Sequence, residues 1–248
     1  MLKKERQAFI MHELNVHNKV LSTDLSQRIR TSEDTIRRDL NELAESGKLI
    51  KVHGGALSKS FYNSFYTNDV YLANEKKKIA AKAVELLKDG MTVLTTGGTT
   101  ILEFARALPQ DLHATFITGS LPAAIEYMHH PNIEVIIIGD KLSKNSQITT
   151  GARAIAAICE INADICFLGT NAIDSLHGIT DNDWEVSELK RTMIARSKRV
   201  VSLCIADKLN TVQKIQVCDI DKVNTLVTEL DPSSLILEPY KNKGLEII

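Results

Sequence analysis

Residues 32–47 read SEDTIRRDLNELAESG, and the fold of the N-terminal part of the chain turns on them. Ser32 offers a capping hydroxyl, Glu33 and Asp34 follow where a helix dipole favours acids, and Gly47 closes the pattern, which predicts one capped helix. At about 100° per residue, Ile36, Leu40 and Leu43 share one face while Asp34, Arg38, Asn41 and Glu45 share the opposite one, with Thr35 and Arg37 on the flanks. Upstream, Arg6, Ile10 and Leu14 recur at helical spacing. A second helix is expected from Ser22 or Thr23, either hydroxyl serving as its cap, to Arg30. Arg30-Thr31 then forms a short turn. Two helices joined this way, the second presenting Ser32, Thr35, Arg37, Arg38 and Asn41 outward, suit a recognition helix laid in the major groove, with arginines for phosphates or guanine. Downstream, Ile50 and Val52 are expected to face inward and Lys51 and His53 outward, and Gly54-Gly55 permits a tight turn. That makes a small basic wing.

With 248 residues, 44% apolar and 25% charged, the chain has the composition of one or two globular domains, which excludes global disorder and fibrous repeats. Its longest apolar run, Ala154–Cys159, falls far short of the roughly 20 residues of a membrane span. The N-terminus lacks a secretory apolar region, so a cytoplasmic location is expected. Cys159, Cys166, Cys204 and Cys218 form no C-x-x-C pair, and no metal, cofactor or disulfide is expected. Net charge is −1, but residues 1–60 hold 11 Lys and Arg against 8 Asp and Glu, so a basic head precedes an acidic body.

In that body, short apolar runs at Met91–Leu94, Thr115–Thr118, Val135–Ile138, Ile165–Leu168, Val200–Ile205 and Thr225–Thr228 alternate with helical patterns, among them Ile79, Ala83, Leu86 and Leu87, and Val186, Leu189 and Met193. The alternation predicts a doubly wound, mostly parallel α/β domain. The expected division is a winged helix-turn-helix over 1–57, a joint over 58–74 and the α/β domain over 75–248. The joint holds Phe61, Tyr62, Phe65, Tyr66 and Tyr71, which either pack it onto the larger domain or form a subunit or interdomain contact. Thr95-Thr96-Gly97-Gly98-Thr99-Thr100 follows a strand and opens a helix, and Thr118-Gly119-Ser120 repeats the arrangement. Both invite an anion at the C-terminal end of a parallel sheet.

Arg6, Ile10 and Leu14, Ser32, Thr35 and the run T-I-R-R-D-L at 35–40, with Val52-His53-Gly54-Gly55-Ala56, closely resemble the signature of the DeoR family of bacterial transcription regulators, and the likeness extends through Glu75-Lys76, the Gly97 loop and Glu188 to Met193. The resemblance implies a DNA-binding regulator, expected to be a repressor of a carbohydrate operon, acting on a double-stranded operator as a homodimer or homotetramer. It implies Thr35, Arg37 and Arg38 as DNA contacts and structural roles for Arg6 and Asp39. It also implies a body similar in fold to ribose-5-phosphate isomerase that senses a phosphorylated sugar or related metabolite. There Thr96, Gly97, Gly98, Thr99 and Thr100 would hold the phosphate, Ser120 would lie beside it, Lys190 and Lys208 would line the pocket, and Glu185 would receive sugar hydroxyls. The chain departs from the family pattern at Thr95, Gly98, Gly119, Asn171-Ala172 and Leu209-Asn210, all around that pocket. Two alternatives stand beside this reading. One is an isomerase-like enzyme with Asp181, Asp183 or Glu185 as base; the other is an activator with the same DNA contacts.

Overall fold

The computed structural model describes residues 1–17, 19–58, 71–144 and 146–248, which divide into two compact units, Met1–Tyr71 and Leu72–Ile248. Phe61, Tyr62, Phe65 and Tyr66, and with them most of the expected joint, lie outside the described residues. Ser58 ends a strand, and the first helix of the second unit begins at Ala73.

The first unit runs α1 (Lys3–His17), β1 (Lys19–Leu21), α2 (Ser22–Ile29), α3 (Glu33–Glu45), β2 (Leu49–Val52) and β3 (Gly55–Ser58). The apolar faces read from the sequence meet in one core of Ile10, Leu14, Val20, Leu25, Ile36, Leu40, Leu43, Leu49 and Ala56. β1 is a strand that the sequence pattern did not reveal, since three residues cannot display alternation. It pairs antiparallel with β3 in the order β1-β3-β2, with Val20 opposite Ala56. Gly55 sits where this pairing is tightest, and a Cβ there would overlap the Val20 carbonyl oxygen. Gly54, at φ +75°, makes the turn.

Two local expectations fail here. Neither Ser22 nor Thr23 caps α2: the cap position is Leu21, and the Ser22 N–H instead donates to the Gly54 carbonyl at 2.8 Å, so the wing turn supplies the acceptor. In β2, Leu49 is the residue that enters the core, while Ile50, Lys51 and Val52 are all half-buried. Leu49 fixes the parity of the strand, and beyond it the hairpin has run past the layer that could bury either face.

The second unit opens with α4 (Ala73–Val84), which buries Ile79 and Ala83 but ends before Leu86 and Leu87, where the chain tightens into i→i+3 bonds. There follow β4 (Thr92–Thr95), α5 (Thr99–Arg106), β5 (Thr115–Thr118), α6 (Leu121–Met128), β6 (Glu134–Ile137), the hairpin β7 (Lys141–Ser143) and β8 (Ile148–Thr150), α7 (Ala152–Cys159) and β9 (Ala163–Gly169). Next come β10 (Ala172–Asp174), β11 (Gly178–Asp181), α8 (Trp184–Ala195), β12 (Ser197–Leu203), β13 (Ile215–Cys218), β14 (Thr225–Val227), α9 (Glu238–Lys241) and β15 (Glu246–Ile247).

Seven strands form a wholly parallel sheet in the order β15-β14-β12-β9-β4-β5-β6. All six strands expected from the apolar runs belong to it; the two-residue β15 completes the edge. Side chains alternate between its faces. Leu94, Ile117, Cys166, Leu168 and Val200 pack with Ala154 and Ile158 of α7 and Leu189 and Met193 of α8. On the other face, the rings of Phe116 and Phe167 contact Phe104 of α5, and Phe116 also meets Tyr127 of α6. The strand order reverses between β4 and β9, so the crossovers lie on opposite faces and a crevice opens at their C-terminal ends. A separate antiparallel sheet, β10-β11-β13, lies beyond β9.

Candidate nucleic-acid interface and effector site

Ser32 caps α3 as its sequence position predicts: its Oγ accepts the Thr35 N–H at 3.3 Å and lies 2.9 Å from Thr35 Oγ1. Both hydroxyls therefore sit at the exposed start of the helix. Arg37 pairs with Glu33 at 3.4 Å and with Asp34 at 3.6 Å, one and the other turn-neighbour on α3. Such exposed pairs are worth about 0–1 kcal/mol, little enough for a phosphate to replace. Arg38 and Asn41 are exposed, His53 stands exposed at the wing turn, and Lys51 is half-buried behind it.

Asp39, only 2% exposed, accepts from Nε and Nη2 of Arg6 in a forked pair that ties α3 to α1. Its place is structural, as is that of Glu13, which binds Arg28 across α1 and α2. These buried carboxylates tie α1 to α3 through Arg6 and to α2 through Arg28.

In the second unit the loop after β4 divides into a buried and an open half. Thr95 and Thr96 are buried; Tyr127 donates to Thr95 Oγ1 at 3.1 Å, and the Gly169 N–H donates to Thr96 Oγ1 at 2.7 Å. A Cβ on Gly169 would overlap the Gly97 carbonyl oxygen, so the loops after β4 and β9 touch backbone to backbone. Gly98, at φ +105° and exposed, faces open space, and Thr99 and Thr100 begin α5 half-exposed. The first N–H groups of a helix have no intrahelical acceptor, which leaves donors free on this half of the loop. Ser120 caps α6, accepting the Ala123 N–H at 3.4 Å, and its Oγ is a close neighbour of Gly97.

The three predicted polar side chains have different surroundings. Lys190, 3% exposed, donates to Asp181 Oδ2 at 2.7 Å and to the Gly169 carbonyl at 2.9 Å, a buried ion pair between α8 and the end of β11. Burial alone would raise the Asp181 pKa, but the Lys190 charge and hydrogen bonds from Lys190, Asn171 and the Asn182 N–H outweigh it and hold the carboxylate below its ordinary range. Lys208 donates to the Thr170 carbonyl at 3.2 Å, and burial lowers its pKa, with Lys190 adding to the effect. Glu185 is held by Lys141 at 2.9 Å and by Thr150 at 3.0 Å, fastening the hairpin β7-β8 to the start of α8.

One residue here appears in the sequence reading only within the family likeness, with no role assigned to it. Lys76 on α4 is 5% exposed, and burial pushes its pKa down to about 7, with the Lys208 charge contributing and Glu103 and Glu75 partly opposing. It belongs to the run Lys76-Lys77-Lys78, which looks like a solvated face. The available signal was its register, since Lys76 shares a stripe with Ile79, Ala80 and Ala83. Lys208 thus feels the charge of Lys190, itself paired with Asp181, and imposes its own on Lys76. On the outward side of α8, a depression of about 430 Å³ is lined by Trp184, Arg191, Lys214 and residues 215–219, and holds none of them. Trp184 is 66% exposed there, with the Arg191 guanidinium 6.0 Å from its ring centre. Among the described residues, no group of His, Cys, Asp or Glu could hold a metal ion, and no helix is long and apolar enough to cross a membrane.

Comparison with known proteins is consistent along the chain. Residues 6–61 match the DeoR-like helix-turn-helix domain and residues 72–230 the DeoR C-terminal sensor domain. The chain is 31% identical to the HTH-type transcriptional regulator GolR of Listeria innocua over 100% of its own length and 98% of the relative's. It is 28% identical to the HTH-type transcriptional repressor GlcR of Bacillus subtilis, with 100% and 96% covered. With the glycerol-3-phosphate regulon repressor of Escherichia coli the identity is 26%, over 100% and 99%. Among solved structures, ribose 5-phosphate isomerase A of Methanocaldococcus jannaschii superposes at a TM-score of 0.41 and 21% identity, over 54% of this chain and 53% of that one, too weakly to assign anything. From a capped, arginine-bearing third helix with its wing, through a sheet with an open crevice, to end-to-end similarity with named regulators, the chain belongs to the DeoR family of DNA-binding transcriptional regulators.

Proposed function

We propose that this chain is a repressor of a carbohydrate operon whose grip on DNA is modulated by a phosphorylated sugar or related metabolite. In the winged unit, Ser32, Thr35, Arg37, Arg38 and Asn41 present α3 to the major groove, and Lys51 and His53 bring the wing to the backbone. One winged helix covers little DNA, so the working form is a homodimer or homotetramer on repeated half-sites.

The observation that carries the sensing half is the open start of α5 at Gly98, Thr99 and Thr100, in a unit that is otherwise acidic yet gathers Lys76 and Lys208 near each other. Two cations close together favour a dianion beside them. The phosphate is placed at Gly98, Thr99 and Thr100, with Lys208 and Lys76 as its cations. Thr96, Gly97 and Ser120 shape the floor; Lys190 acts through its pair with Asp181, and Glu185 holds the rim. The name of the Escherichia coli relative, a glycerol-3-phosphate regulon repressor, supports a phosphorylated ligand.

The effector weakens operator binding only by its difference in affinity between the DNA-competent and DNA-incompetent arrangements. Thermal shift with glycerol 3-phosphate, glucose 6-phosphate, ribose 5-phosphate and inorganic phosphate, each followed by operator titration, tests this. One sugar or polyol phosphate is expected to raise Tm and to lower operator affinity. If all four leave both quantities unchanged, the sensing half of the proposal fails.

A further inference from the structure

The turn between α2 and α3 contains a residue that its conformation does not favour. Arg30 closes α2 at φ 56° and ψ 52°, in the left-handed region. There the Arg30 N–H donates to the Gln27 carbonyl at 3.3 Å and the Thr31 N–H to the Ser26 carbonyl at 3.0 Å, the paired bonds of a Schellman closure. Glycine normally holds that position, because a Cβ crowds the neighbouring carbonyl oxygen; asparagine is the next most tolerant. Nothing in the folding of the turn calls for a guanidinium.

The side chain has no internal task either. Arg6, Arg28 and Arg37 of the same unit each pair with a carboxylate. Among the described residues, Arg30 and Arg38 do not, and both are exposed. These two charges flank the start of the recognition helix, Arg38 within α3 and Arg30 two residues before its cap. The free N–H groups at that helix start already favour an anion nearby. Lying outside α3, Arg30 is suited to the sugar-phosphate backbone and not to base edges.

We infer that Arg30 is a further DNA contact, a clamp on one operator phosphate beside the recognition-helix N-terminus, present despite a backbone conformation that disfavours it. The inference rests on α3 being the DNA-reading helix, and the experiment keeps the two apart. Affinity of the full-length chain for its operator and for unrelated duplex is measured against salt for wild type, Arg30→Gly, Arg30→Asn, Arg30→Lys and Arg38→Ala, together with Tm. Both uncharged replacements at position 30 suit a left-handed residue, so Tm is expected to be no lower than wild type. Each is expected to weaken binding about tenfold on both DNAs and to reduce the salt slope by about one ion, while Arg30→Lys retains the slope. If Arg30→Gly and Arg30→Asn bind as wild type while Arg38→Ala binds weakly, the clamp is wrong and the reading helix stands. If Arg38→Ala also binds as wild type, both are wrong.

Discussion

In the winged unit, Arg30 and Arg38 stand in solvent with no carboxylate partner among the described residues, whereas in the second unit Lys76 is almost wholly buried and Lys208 half-buried. Both sets of cations are proposed to meet phosphate. A duplex offers many phosphates along a solvated surface, and binding gains chiefly from releasing condensed counterions, so exposed arginines that lose little water are sufficient. A single small anion offers one dianionic group. To hold it, charge must be gathered in a low-dielectric crevice where each interaction is stronger, and ammonium groups there shift their pKa. Burial therefore separates a reader of polymer from a sensor of metabolite.

The contrast is broken most severely at Asp181. Asp181→Ala leaves Lys190 buried without its carboxylate, and urea unfolding of the second unit is expected to register a loss of about 3–5 kcal/mol. A loss under 1 kcal/mol would mean that this lysine is not confined as described. Arg38→Ala belongs to the other regime: the fold should be indifferent to it, with unfolding midpoints unchanged, while operator binding weakens by about 1–3 kcal/mol at fixed salt. Equal losses of stability and binding would erase the distinction between the two sets of cations.

The smallest effect is a slope. With the Lys76 pKa lowered to about 7 against an ordinary value of 10.5, the unfolded chain holds more protons than the folded one between these limits, so this group makes stability rise with pH. Lys76→Met is expected to remove roughly 1 kcal/mol per pH unit of that rise between about pH 7 and 8.5. That window stays below the range in which the buried Cys166 and Cys204 thiols, pushed up to about 12, act in the opposite direction. Parallel profiles for variant and wild type would show that Lys76 is not a strained cation.

What could be read from the residues was whatever repeats or caps. α3 is legible because Ser32, the acidic first turn and three apolar residues at helical spacing agree, and the six longer strands of the parallel sheet because each is an apolar run between helical patterns. β1, β13 and β15 are short segments whose pairing comes from distant partners, and β10 and β11 form a hairpin of only three and four residues, so no local period betrays them. The inward choice of Leu49 over Ile50 and Val52 depends on where the helices end beneath the wing. Within the crevice, Gly98, Thr99 and Thr100 are open as their types suggest, but residue type could not tell that Lys190 is spoken for by Asp181, nor that Glu185 is tied to Lys141. Lys76 was hidden by its lysine neighbours.

Trp184 is the only tryptophan in the chain, and it emits from an already hydrated position on the second unit. Its fluorescence can change little in wavelength when the surrounding structure melts. A denaturation curve followed by that emission would report the second unit poorly, whereas far-ultraviolet circular dichroism sees the helices of both units. The same exposure makes the indole a clean optical label for the beginning of α8, where Asp183 caps the helix and Glu185 fastens the hairpin.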